Sequence, residues 1–191
     1  MIVVKLGGSL AKARTLNGWL TALGRGKGRV VVVPGGGAFA DTVRGEQDRL
    51  QFSDRAAHRM ALLAMEQYAL ALADICPEMT LCAGEKDMRD ALAVGSIPVW
   101  LPTTMALADP EIPESWDATS DSLAAWLARR IGAGRLILVK STAAPRPLEP
   151  VALAERGLVD RVFPRFFAGA ELTLDWIGPG DEDRLAHLLT A

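Results

Sequence analysis

Apolar positions in this chain fall into two rhythms. Short, nearly continuous runs occupy Ile2 to Leu6, Val30 to Val33 before Pro34, Met79 to Cys82, Ile97 to Leu101 and Arg135 to Val139. Runs of this length without polar alternation read as strands buried on both faces, the pattern of a parallel sheet. A further run, Glu171 to Ile177, alternates and reads as a last strand. Pro98 puts its strand at a sheet edge or marks the strand's start. The second rhythm is helical. Trp19, Leu20 and Leu23 give partial helical spacing within 11–27, ended by Gly24, Gly26 and Gly28. A polar helical segment fills 38–51. Ser53 and Asp54 are N-cap types, and Asp54 to Ile75 runs without Gly or Pro, so it reads as the longest helix. Helices are also expected over Glu85 to Val94, from Thr119 through Leu123, Trp126 and Leu127, over Leu153 to Val162 with Phe163, Phe166 and Phe167 covering its edge, and over Asp181 to Leu189. Asp109 to Ser115, with Pro110 and Pro113, reads as a loop. Strands alternating with helices predict an α/β fold on a mainly parallel sheet. No linker, compositional break or repeat divides residues 1–191, so a single domain is expected.

Composition narrows the function classes. The 191 residues are 50% hydrophobic, enough to build a core without disulfide staples. A net charge of -2 argues against nucleic-acid binding through a basic surface. Cys76 and Cys82 lack metal-site spacing and read as core thiols. No window reaches about 18 uninterrupted apolar residues, so no membrane span is expected. No basic stretch follows Met1 ahead of an apolar segment, so no signal peptide is expected and the expected location is the cytoplasm.

The chemistry gathers where strands meet glycines. Ile2 to Leu6 contains Lys5 and runs into Gly7-Gly8-Ser9, and the valine strand runs through Pro34 into Gly35-Gly36-Gly37. Glycine turns bring bare backbone N–H groups close to a ligand, and a following helix N-terminus adds positive potential. With Lys5 beside them, these junctions suit a polyphosphate. In a parallel sheet both fall at the carboxyl edge, where open α/β sheets bind ligands. Lys12 and Arg14 lie just beyond, as surface charges or as a second cation over the same phosphates. His58 is either a structural helix residue or one that faces a substrate near the glycines. Thr119-Ser120-Asp121-Ser122 opens a helix; its residues suit capping, and the Asp121 carboxylate could hold lysines or a metal there. The strand from Arg135 ends in Lys140 and Ser141, polar again at the carboxyl edge. His187 reads as a surface residue. Gly-x-x-x-x-Gly-Lys-Ser/Thr is absent, and no Gly-x-Gly-x-x-Gly stands at a strand end, so a P-loop kinase and a dinucleotide oxidoreductase fit poorly.

Taken in order, Val4-Lys5-Leu6-Gly7-Gly8-Ser9, Val33-Pro34-Gly35-Gly36-Gly37, Thr119-Ser120-Asp121-Ser122-Leu123-Ala124 and a strand ending near Lys140 resemble the amino acid kinase superfamily. That superfamily includes acetylglutamate, aspartate, uridylate and isopentenyl phosphate kinases, and the resemblance covers nearly the whole chain. The finer pattern, Ala57-His58-Arg59-Met60-Ala61-Leu62-Leu63-Ala64-Met65 with Trp116-Asp117 before Thr119, is most similar to a small subgroup tied to furan-cofactor biosynthesis in one-carbon metabolism. Its kinase phosphorylates an (aminomethyl)furanylmethyl phosphate in methanofuran assembly. The resemblance implies a three-layer αβα sandwich with ATP and Mg2+ across the carboxyl edge. It implies that Lys5 neutralises the transferred phosphoryl group while Gly7, Gly8 and Ser9 donate N–H groups to it. Lys12, Lys140 and Ser141 fall on the nucleotide side. Gly35, Gly36 and Gly37 hold the acceptor together with His58, Thr119 and Ser120. Asp121 orients the lysines or the magnesium. The implied partner is a small-molecule acceptor, and the apolar Asp54 to Ile75 helix suggests a homodimer or higher homo-oligomer.

Two segments depart from the family pattern. Ser141-Thr142-Ala143-Ala144-Pro145 stands where a Thr-Asp-Val-Asp-Gly type sequence is usual. Gly157-Leu158-Val159-Asp160-Arg161 stands where many members carry a late Gly-Met-x-x-Lys, so the C-terminal, nucleotide-binding half reads as shortened. Lys12 or Arg161 could replace the missing cation. Two functions stay open: an ATP-dependent kinase acting on a small acceptor such as a phosphate monoester, or a degenerate, non-catalytic nucleotide- or metabolite-binding subunit of the same fold.

Overall fold

Val30 to Val33 have no solvent exposure at all, because both faces of their strand are covered. A computed structural model describes residues 1–8 and 16–190 of the chain. Its strands are β1 (Ile2–Leu6), β2 (Val30–Pro34), β3 (Met79–Cys82), β4 (Ile97–Trp100), β5 (Arg135–Val139) and β6 (Thr173–Ile177). They form one sheet in the order β3-β4-β2-β1-β5-β6, and every pairing is parallel. The helices are α1 (Leu16–Gly24), α2 (Gly37–Leu50), α3 (Asp54–Ile75), α4 (Glu85–Ala93), α5 (Thr103–Ala108), α6 (Ser120–Arg130), α7 (Pro150–Glu155), α8 (Phe163–Phe167) and α9 (Glu182–Thr190).

Side chains alternate across each strand, so the sheet has two cores. Val3, Val31, Val33, Leu136 and Leu138 pack under α4, α6 and α8, around the stacked pair Trp100 and Trp126. Val4, Val30, Val32 and Ile137 pack against α1 and α9 through Trp19, Leu23, Leu185 and Leu189. The result is a three-layer αβα sandwich. Helix α3 serves both cores, with Leu62 and Met65 on the first face and Ala69 and Leu72 on the second. Ser53 caps it by accepting the Ala56 N–H. The same alternation decides where Lys5 points. It shares the face of Val3, towards α6.

Topology locates the crevice. The chain leaves β1 towards β2 and leaves β5 towards β6, in opposite directions across the sheet. The space above the carboxyl ends of β1 and β5 is therefore left open by the connections. Lys5 lies opposite Leu138 in that register, and Lys140 follows the last residue of β5.

Three local expectations change. The helix expected over Leu153 to Val162 is broken: α7 stops at Glu155, Gly157 adopts a φ of +65°, and a turn carries the chain to α8. A positive φ ends a helix at little cost only for glycine. The short α5 stands where no element was expected. Of the two alternatives at Pro98 the strand start holds and the edge does not: it is the second residue of β4, an internal strand whose ladder with β2 is confined to Val32 with Val99. Cys76 and Cys82 are buried free thiols, and burial pushes Cys82 up to about 11. Among the described residues no helix is long and apolar enough to cross a membrane.

Candidate active site

The two glycine junctions touch each other backbone to backbone. A Cβ on Gly8 would lie 2.2 Å from the Gly37 nitrogen, and one on Gly35 would lie 2.4 Å from the Gly8 nitrogen. Gly37, at φ +47°, has the Tyr68 ring 2.5 Å from where its Cβ would stand. Only residues without side chains allow this approach. Two amides are consumed in holding the turns to the sheet. The Gly7 N–H donates to the Val139 carbonyl at 3.0 Å, and the Gly35 N–H to the Leu6 carbonyl at 2.8 Å. Gly7 is thus engaged by the protein itself, whereas Gly8, Gly36 and Gly37 line a cleft. Ser9 and Lys12 lie outside the described residues.

A buried ion cluster closes the crevice between β1 and β5. Asp121, in the first turn of α6, meets the Lys5 ammonium 2.9 Å from Oδ1 and the Lys140 ammonium 2.5 Å from Oδ2. The Lys5 contact is an ion pair without hydrogen-bond alignment, whereas Lys140 donates to Asp121 and also to the Leu158 carbonyl at 2.8 Å. Lys5 and Asp121 are each only 5% exposed. Burial alone would raise the Asp121 carboxyl, but the two ammonium groups outweigh it and hold Asp121 below the usual carboxylate range. Burial lowers Lys140, and the Lys5 charge adds to that fall. Two lysines share one carboxylate, so the cluster carries a surplus positive charge. That surplus favours an anion with several charges. Ser141 is exposed beside Lys140. Arg161 points elsewhere, pairing loosely with Asp117 at 3.9 Å with 85% of its side chain exposed. The second cation of the cluster is therefore Lys140.

Beside the glycine turns lies a cleft of about 240 Å3. Thr119 and Ser120 lie on its α6 side, and His58 enters from α3. His58 is 2% exposed; its Nδ1 donates to the Ser115 carbonyl at 3.2 Å, while its Nε2 has no partner among the described residues. Burial lowers its pKa, so the neutral ring keeps a buried, unpartnered nitrogen in the wall of the cleft. The outer wall is Trp116. Its Nε1 donates to Gln47 Oε1 at 2.6 Å, and the Arg44 guanidinium covers its ring 4.2 Å from the centroid. The loop that carries Trp116 is strapped to α3 by Glu114, which accepts from Arg59 at 2.7 Å and pairs with Arg55 at 3.2 Å.

Nothing in the sequence pattern marks Asp160 as a site residue. It sits in the turn after Gly157 and binds Thr119 and Ser122 at the start of α6. Thr119 therefore spends both its amide and its hydroxyl on Asp160 and not on the cleft. Burial, and next the Asp121 charge, push Asp160 up to about 7. Arg44 likewise stands in the sequence only as one charge of a polar helix. Its position on the cleft follows from the packing of α2 against α3, which one segment's pattern does not contain.

The model of the amino acid kinase family matches residues 1–144. A curated relative, [5-(aminomethyl)furan-3-yl]methyl phosphate kinase of Methanocaldococcus jannaschii, is 28% identical over 140 residues, covering 72% of this chain. The match spans 64% of that relative's length. Among solved structures, uridylate kinase from Archaeoglobus fulgidus superposes with a TM-score of 0.72 at 18% identity, covering 100% of this chain and 95% of that one. UMP kinase from Ureaplasma parvum gives a TM-score of 0.70 at 14% identity, covering 94% and 89% of the two chains. These likenesses establish the fold.

Proposed function

We propose that this chain, which belongs to the amino acid kinase family, transfers a phosphoryl group from ATP to a small acceptor that is itself a phosphate monoester. The observation that carries this reading is the buried Lys5–Asp121–Lys140 cluster beside a cleft walled by glycine turns. Phosphoryl transfer passes through a loose transition state with charge spread over the phosphate oxygens, so the protein's task is positioning and charge neutralisation. Lys5 and Lys140 would face that charge, and Asp121 holds them together at one spot. Gly8, Gly36 and Gly37 allow close approach of the acceptor's phosphate, and Ser120 and His58 would fix its orientation. The His58 Nε2 lone pair would accept from a hydroxyl or ammonium donor. A flat, ring-bearing acceptor fits a wall made by Trp116. The substrate for which the curated relative is named, an aminomethyl-substituted furan bearing a phosphate, has this chemistry and is the acceptor we favour.

Magnesium would reach the site on the phosphates. Asp121 is committed to two ammonium groups, and among the described residues no three acidic, His or Cys side chains converge. When bound, the ion would add charge neutralisation on the phosphate oxygens. A second copy of the chain would cover α3, which leaves Met60, Leu63, Leu70 and Ile75 exposed.

The test is turnover of Mg-ATP by purified protein with [5-(aminomethyl)furan-3-yl]methyl phosphate, uridylate, isopentenyl phosphate, acetylglutamate and aspartate, with Lys5→Ala alongside. Turnover with the furan phosphate, lost in Lys5→Ala, is the expected result. Turnover with another acceptor moves the assignment to that acceptor. ATP binding without any turnover would replace the kinase with a non-catalytic nucleotide-binding subunit.

A further inference from the structure

The first turn of α6 is held from 38 to 41 residues downstream. Asp160 Oδ2 accepts from the Thr119 amide at 2.9 Å, the Thr119 hydroxyl at 2.7 Å and the Ser122 amide at 3.1 Å, and Oδ1 accepts the Ser122 hydroxyl. An ordinary helix start is capped by its own Ser, Thr, Asp or Asn. Here Thr119 occupies the cap position but makes no side-chain cap, because its hydroxyl is turned to Asp160. Thr119 and Ser122 bracket Asp121. The turn that carries Asp160 also supplies the Leu158 carbonyl to Lys140. One short segment therefore grips a residue on each side of Asp121 and the ammonium beyond it.

We propose that Asp160 is a positioning residue. Through Thr119 and Ser122 it fixes the rotation of the α6 N-terminus, and so the place of the Asp121 carboxylate between Lys5 and Lys140. The inference rests on the reading above that this cluster is where phosphate is transferred. It also gives the turn over Gly157 to Arg161 a role without a lysine of its own. The cation comes from the end of β5, and the turn braces it.

Four donors point at the carboxylate, and only the ionised form can accept from all of them; a protonated carboxyl must donate one hydrogen itself. The charged groups around Asp160 are Asp121 on α6, Lys140 from β5, and Asp117 and Arg161 in its own vicinity, the last two paired with each other. With burial and Asp121 holding Asp160 near 7, the brace is complete above neutrality and weakens below it.

The test is a pH profile of kcat and acceptor KM, from about pH 5.5 to 9, for the wild type, Asp160→Asn and Thr119→Val, using whichever acceptor of the panel turns over. In the wild type kcat is expected to rise through about pH 7. Asp160→Asn is expected to lower kcat by about 10- to 100-fold at pH 8, to leave acceptor KM within about 3-fold, and to abolish the rise, as loss of transition-state positioning requires. Thr119→Val, which removes one donor and no charge, should give a smaller loss of the same kind. A kcat within about 2-fold of wild type in Asp160→Asn, a loss that falls on KM alone, or a rise that persists would overturn the inference. Should Asp160→Asn fail to fold, Thr119→Val with Ser122→Ala carries the same expectation. One further readout needs no turnover. Carboxylate 13C NMR of the unliganded protein should show the Asp121 titration displaced in Thr119→Val, and an unmoved titration would refute the brace. If no acceptor turns over, the kinase reading fails while the NMR arm still decides whether Asp160 positions Asp121.

Discussion

Asp121, buried, and Asp160, half-buried, meet at the same helical turn, and loss of solvent acts on both carboxylates in the same sense. Their neighbours decide the outcome. Asp121 has an ammonium on each oxygen and stays ionised well below neutrality. Asp160 has neutral N–H and O–H donors and the Asp121 charge nearby, and is pushed up to about 7. Full charges outweigh desolvation here, whereas several neutral hydrogen bonds do not. The first carboxylate is a fixed counter-ion, and the second changes its charge near neutral pH.

The largest expected effect comes from erasing the fixed counter-ion. Asp121→Asn leaves Lys5 and Lys140 buried against each other, which should cost about 3–5 kcal/mol of stability, read as a lower urea midpoint. The kcat should fall by about 10²- to 10³-fold, as when a preorganised electrostatic group is removed. Lys5→Ala should lose about 10²-fold in kcat at a smaller stability cost, because Asp121 keeps Lys140 as partner.

Thermal stability against pH sharpens the contrast further. Asp160 has a folded pKa above its unfolded value, so the native state holds the extra proton. Its contribution is present below about pH 3.9 and is lost as pH rises through about 7, with a slope of at most about 1.4 kcal/mol per pH unit. Asp121 is depressed, so its contribution is present above about 3.9 and is lost as pH falls below that. Asp160→Asn should flatten the first slope and leave the second, which melting temperatures between pH 3 and 8 will show. The smallest effect is expected at His58, whose folded pKa is lowered. His58→Gln should raise acceptor KM by about 10-fold, the loss of one hydrogen bond to a polar ligand group. It should also remove the decline in stability that the wild type shows as pH falls below about 6.5.

Much of this architecture can be read locally. The apolar runs ending in glycine or proline announce the strands, and their lack of alternation announces a sheet covered on both faces. Lys5, the two glycine junctions and Asp121 stand out because each is chemically odd for its element: a charge in a buried strand, glycines in series, a carboxylate at a helix start. Asp160 has no such mark. It looks like any loop acid, and its partners lie 38 to 41 residues earlier. The broken helix after Leu153 had a visible signal in Gly157, overridden by the apolar spacing around it. Lys140 was legible as a polar strand end, but only the β1–β5 register brings it to Asp121. Gly7 shows the converse. Its neighbours suggest a phosphate ligand, while the neighbouring strand takes its amide.

The contact between the two glycine turns has a consequence for building new enzymes on this scaffold. With the Gly8 and Gly37 backbones too close to admit a methyl group, neither glycine can be replaced while the other turn stays in place. A loop library that varies the second turn alone has to keep glycine at position 37, where any Cβ would meet the Gly8 carbonyl and the Tyr68 ring. Grafts between kinases of this fold must carry both turns together, as a single inherited module.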